Sequence, residues 1–151
     1  MGRFKFLKNL LYFFIFYLTF SFTVLKDSKD FGIEVEKTIK GLSENFYEVS
    51  IHLKNGNQID GVSRYEVKLP ISADFVKEIE RDKSINFKIS GRKIKMIWRH
   101  IQRNKSYLVR FNIKSKLKID KLKMPGKFIG HLGDEQIHIK DISDLKLSNA
   151  E

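Results

Sequence analysis

In the stretch HLGDEQIH, His131 and His138 bracket Asp134 and Glu135, four side chains with metal-ligand chemistry. A divalent ion needs three or more such groups to converge. The two histidines are not at the i, i+4 spacing that puts a zinc-binding pair on one helical face. If QIHIK is a strand, His138 points away from Ile137 and Ile139, toward solvent, and Gly133-Asp134-Glu135 is the turn before it. A metal-dependent hydrolase centred on His131–His138 is therefore a distant alternative, and no cofactor is expected. The carboxylate pairs Glu34/Glu36 and Glu78/Glu80 recur at i, i+2. On a strand that spacing marks one solvated face, whereas a glycosidase pair converges across a cleft. The chain has no nucleophile-elbow motif, no P-loop and no dinucleotide glycine fingerprint. It has no cysteine, which removes disulfides, thiolate zinc sites and cysteine nucleophiles. These residues do not describe an enzyme.

The basic residues are more informative. The net charge is +11, and the segment from Lys88 to Lys123 alone carries +12, with Asp120 as its single acid. Within it, GRKIKMIWRH alternates: Ile94, Met96 and Trp98 share one parity, while Lys93, Lys95 and Arg99 share the other. Trp98 has the chemistry of a stacking platform, but its parity with Ile94 and Met96 makes it a core residue. The neighbouring segments alternate too, with Ile85, Phe87 and Ile89 in one and Tyr107, Val109, Phe111 and Ile113 in the other. If all three faces point inward, Lys88, Lys93, Lys95, Arg99, Arg110, Lys114 and Lys116 point outward. Three neighbouring strands would then join these cations in one face. Like charges on adjacent strands repel, and solubility alone is met by mixing in acids. Such a face would attract a lipid headgroup, an anionic glycan or an acidic protein.

Positioning these residues is a task for strands. Tyr47, Val49, Ile51 and Leu53 alternate before Asn55-Gly56, and Ser63, Tyr65, Val67 and Leu69 alternate before Pro70. GIEVEKTIK alternates only loosely. Ser90-Gly91-Arg92-Lys93 is a tight hairpin connection. KFIGHL, QIHIK and DISDLKL close the chain. The segment SADFVKEIERDKS is the one helical candidate: Phe75, Val76 and Ile79 share a helical stripe, with Ser72 as N-cap. Seven to eight short strands at this spacing indicate an all-β sandwich, and the length fits a single domain.

The order of these features resembles exported bacterial immunoglobulin-like or cohesin-like modules. The likeness rests on Gly61, the strand ending in Leu69-Pro70, Phe87, the Ile94–Trp98 strand and Tyr107–Ile113. It covers roughly residues 32 to 139 and lacks the cysteine pair of antibody-type domains. It implies a non-catalytic binding or structural module of the envelope or cell surface.

Ahead of this domain, Arg3, Lys5 and Lys8 precede an uncharged run from Leu10 to Leu25. That is the pattern of a signal peptide or, if uncleaved, of a membrane anchor helix, and retention of the helix would make the protein a membrane-anchored accessory subunit of an envelope complex. The expected organisation is a signal or anchor over 1–25, a linker over 26–31, a single immunoglobulin-like sandwich over 32–147 and a tail over 148–151. The protein is expected to be exported to the periplasm or cell surface. Membrane contact would run through residues 10–25, the partner would be a protein or an anionic envelope component, and nucleic acid is excluded by export.

Overall fold

A computed structural model describes residues 31–56, 59–118, 122–141 and 145–147. The segments expected to form the signal or anchor and the tail lie outside these residues, as does most of the linker. Ten strands follow in order: β1 (Ile33–Ser43), β2 (Phe46–Asn55), β3 (Gly61–Lys68), β4 (Ala73–Arg81), β5 (Asn86–Ser90), β6 (Lys93–Ile101), β7 (Lys105–Ser115), β8 (Gly126–Leu132), β9 (Glu135–Asp141) and β10 (Leu145–Leu147). They form two five-stranded sheets, ordered β10-β1-β2-β7-β4 and β5-β6-β3-β8-β9. The expected all-β sandwich is the observed one. All pairings are antiparallel except that of β1 with the three-residue β10.

The inner faces carry the residues that alternation assigned to the core. Ile94, Met96 and Trp98 of β6 are buried, as are Tyr107, Val109, Phe111 and Ile113 of β7. Trp98 is 0% exposed and meets Tyr107 edge to face at 5.2 Å, across the space between the sheets. Its place is the core, the site favoured for tryptophan in such sandwiches. On β5 the inward parity is less well covered: Phe87 is half-buried and Ile89 exposed, because β5 is an edge strand.

The helical candidate is a strand. SADFVKEIERDKS contributes β4, which closes the free edge of β7. Two register shifts, between Phe75 and Lys77 and between Glu78 and Glu80, insert extra residues into the ladder. These β-bulges break the two-residue period, so the apolar positions 75, 76 and 79 take on a helix-like spacing while belonging to a strand. Phe75 packs with Phe87 and Phe111 at 5.9 and 6.1 Å, which fixes β4 against both sheets. Ser72 does not cap a helix; its hydroxyl lies 3.5 Å from that of Ser115.

A second difference lies between β6 and β7. Their three-residue connection, Gln102–Asn104, is not a hairpin within one sheet: it carries the chain from one sheet to the other. The corner is held from β2. Asn55 is fully buried and donates through Nδ2 to the carbonyls of Ile59 (2.9 Å) and Gln102 (2.8 Å). The Gly56 carbonyl accepts from Asn104 N at 2.9 Å, and the Tyr107 hydroxyl accepts from Gln102 N at 2.8 Å. Three of these hydrogen bonds hold the β6–β7 connection where it changes sheets, and the fourth ties Asn55 to Ile59 in the connection from β2 to β3.

Candidate functional site

Because β6 and β7 belong to different sheets, the seven basic positions separate. Lys88, Lys93, Lys95 and Arg99 lie on the outer face of the β5-β6-β3-β8-β9 sheet. Arg110 and Lys114 lie on the outer face of the other sheet, on the far side of the core, and Lys116 follows the end of β7. The expected adjacency of the three strands therefore holds for β5 and β6 and fails for β7.

The neighbours that β6 does have supply further cations. Cross-strand register places Lys88 opposite Lys95, Lys95 opposite Glu66, Glu66 opposite Lys127, and Lys127 opposite Lys140. At about 4.8 Å between strands, this row crosses the whole sheet in about 19 Å. Each member has outward parity, since Phe87, Tyr65, Val67, Phe128 and Ile139 on the same strands face the core. Beside it, Lys93 is opposite Lys68, and Ile97 is opposite Arg64, which in turn is opposite Ile129. Among the described residues of outward parity on this sheet, eight lysines and arginines face a single carboxylate, Glu66. Glu66 is itself engaged by Arg64 Nε at 3.1 Å and Lys95 Nζ at 4.0 Å.

The opposite outer face is balanced. Glu34 meets Lys54 at 3.4 Å, and Glu36 meets Lys146 at 3.1 Å. Glu80 accepts from Arg110 Nε at 2.8 Å, and Glu48 lies 3.7 Å from the same guanidinium. The hydrogen bonds and charge of Glu80 raise the Arg110 pKa above its usual value. Asp74 is opposite Lys114, whose ammonium lies 5.4 Å from the Phe46 ring centroid. Among the described strand residues, the positive charge is thus concentrated on one of the two outer faces.

Arg64, Lys68, Lys127 and Lys140 were missing from the sequence-based set. Each has outward parity in its own strand, so alternation signals its direction. Which strands flank β6 is a long-range pairing that alternation does not carry.

The histidine–acid segment folds as the β8–β9 hairpin, with Gly133 at φ 60° in its turn. His131 Nδ1 lies 3.1 Å from the Val62 carbonyl, and His138 has outward parity opposite Ile129. Among the described residues, no group of three or more histidine, aspartate or glutamate side chains is placed to hold a metal ion.

Together these features describe a β-sandwich module with one basic and one charge-balanced outer face. No protein-family model and no curated protein matches the chain. Solved structures do match its fold. The major pilin SpaD of Corynebacterium diphtheriae is 18% identical with a TM-score of 0.57, over 72% of this chain and 33% of the pilin. The major pilin subunit BcpA of Bacillus cereus is 10% identical with a TM-score of 0.59, over 76% of this chain and 40% of the pilin. A GH20 exo-β-N-acetylglucosaminidase of Vibrio harveyi reaches a TM-score of 0.54 at 11% identity, over 78% of this chain and 19% of the enzyme. The chain therefore spans well under half the length of each of these proteins. At such identities the likeness is one of fold, the all-β sandwich that the strand pattern predicts.

Proposed function

We propose that this protein is an exported, non-catalytic binding module of the bacterial cell envelope that engages an anionic surface through the outer face of its β5-β6-β3-β8-β9 sheet. The observation that carries the reading is the row Lys88–Lys95–Glu66–Lys127–Lys140. Placing like charges side by side costs a few tenths of a kcal/mol per pair. The opposite face of the same molecule avoids that cost by alternating signs. A row of cations at strand spacing, interrupted by one carboxylate, is complementary to a surface that is itself extended and negative, such as anionic headgroups or an acidic glycan. The basic run before Leu10–Leu25 supports export, and the fold shared with two major pilins is in keeping with a surface module.

The test is association with vesicles containing anionic lipid, and with an immobilised acidic glycan, at several ionic strengths. Lys88→Glu combined with Lys127→Glu and Lys140→Glu should abolish binding. Lys54→Glu combined with Lys114→Glu, on the balanced face, should leave it within about twofold, since exposed charges beyond a Debye length of about 8 Å are screened. Equal losses from both sets would overturn the assignment to one face.

A further inference from the structure

At one corner of the basic face, β5 stops short of its partner. It begins at Asn86, opposite Ile97, whereas β6 continues to Ile101. The chain arriving from β4 on the other sheet crosses here, and the gap it leaves is an open cleft of about 530 Å³. Basic side chains reach it from two segments of chain: Arg81 and Lys83, at the end of β4 and in the crossing, and Arg99 on β6, with the His100 imidazole beside it. Asn86 and Ile97 also line it.

The crossing is held in a fixed shape. Asp82 Oδ1 accepts from Ser84 N at 2.9 Å and from Ser84 Oγ at 2.6 Å, and the Asp82 carbonyl accepts from Ile85 N at 3.1 Å. Lys83 is therefore the tip of a closed turn whose next residue but one, Ile85, is anchored in the core. Three carboxylates lie nearby and none lines the cleft. Glu78 holds Arg81 at 3.3 Å, Asp82 holds Ser84, and Asp60 holds His100 at 3.2 Å and Arg103 at 3.5 Å. Lys83 and Arg99 take part in no ion pair among the described residues, so both charges are available to a ligand.

We propose that this cleft is a phosphoryl-binding site. Cations contributed by two segments of chain around one cleft suit a group with several equivalent oxygens and up to two charges, whereas a carboxylate satisfies one guanidinium fork. In this arrangement Lys83 supplies a point charge, Arg99 a planar fork and Asn86 a neutral donor. A phosphate occupies a small part of the cleft, and the rest accommodates the molecule that carries it. The inference deepens the reading of the basic face, and rests on it only for the source of the phosphoryl group.

Amide-resolved NMR titration with inorganic phosphate, at constant ionic strength set by chloride, tests the site. Saturable shifts confined to residues 81–86 and 97–100 are expected. Lys83→Ala and Arg99→Gln, both at exposed positions, should each weaken phosphate binding about tenfold. Lys83→Arg should retain it, and Lys114→Glu on the other face should change nothing. Vesicles of phosphatidylglycerol that perturb the same amides would identify a lipid headgroup as the source; a response to inorganic phosphate alone would identify a soluble phosphate. Shifts that grow linearly and spread over all lysines, or that survive Lys83→Ala, would overturn the proposal. If phosphate fails here while the Lys88, Lys127 and Lys140 variants still abolish vesicle binding, the cleft is wrong and the face stands. The converse pattern removes the face and keeps the cleft.

Discussion

Lys37 occupies an inward position on β1, between Val35 and Ile39, and is 1% exposed. Its ammonium donates to the Met124 carbonyl at 2.8 Å, tying β1 to the segment that leads into β8 on the other sheet. This lysine is why GIEVEKTIK alternates only loosely: a core position is filled by a charge, and the sequence pattern registers that as a flaw. Truncation by Lys37→Ala should lower unfolding free energy by about 3 kcal/mol, since it leaves a cavity and an orphaned carbonyl. Lys37→Met, which keeps the volume, should cost about half that or less. Urea titrations of both variants measure the difference, and equal losses would show that packing alone matters there. Asn55 is the second residue of this kind. Asn55→Ala strips donors from two carbonyls, that of Gln102 at the β6–β7 corner and that of Ile59 in the β2–β3 connection, and should cost about 2 to 4 kcal/mol by the same measurement. Asp82 gives a pH prediction. Its hydrogen bonds from Ser84 hold its pKa below 3.8. A folded-state pKa depressed in this way adds stability that is fully present above the unfolded value and is lost as pH falls through the folded one. The stability gap between wild type and Ser84→Ala should accordingly be constant at neutral pH and shrink below about pH 3.8.

Among the elements, β4 shows how a strand can imitate a helix. Its two bulges move Val76 and Ile79 out of the two-residue alternation, and both remain 40% or more exposed. Phe75, by contrast, joins Phe87 and Phe111 in a three-ring cluster that seals this edge of the sandwich. Thermal unfolding should separate them. Phe75→Ala should destabilise by about 2 to 3 kcal/mol, a little less than a fully buried phenylalanine. Val76→Lys should change stability by no more than about 0.5 kcal/mol. A large loss from Val76→Lys would mean that the bulge residue packs as a core residue does. The bulges also twist an exposed edge strand, a feature that discourages pairing with other chains.

At the level of the whole molecule, the charge distribution separates stability from binding. Lys88→Glu turns the repulsive Lys88–Lys95 pair into an attractive one, so it should raise stability by a few tenths of a kcal/mol. The same change should weaken association with an anionic surface and flatten its dependence on salt. Denaturation and vesicle co-sedimentation of this single variant read both effects. A variant that loses stability and binding together would indicate that the lysine row serves the fold and not a partner.

Sequence by itself determined the class of fold and the inward side of nearly every strand. Alternation of apolar residues is a local property, and burial of one face enforces it. It placed Trp98 in the core and Lys93, Lys95 and Arg99 outside. Tertiary structure alone decided which outward faces lie together. The corner after Ile101 carries β7 to the other sheet, and β3 with Arg64 and Lys68 pairs with β6 in its place, followed across the sheet by β8 with Lys127 and β9 with Lys140. Register between strands distant in sequence follows from packing the whole core at once, and no local pattern contains it.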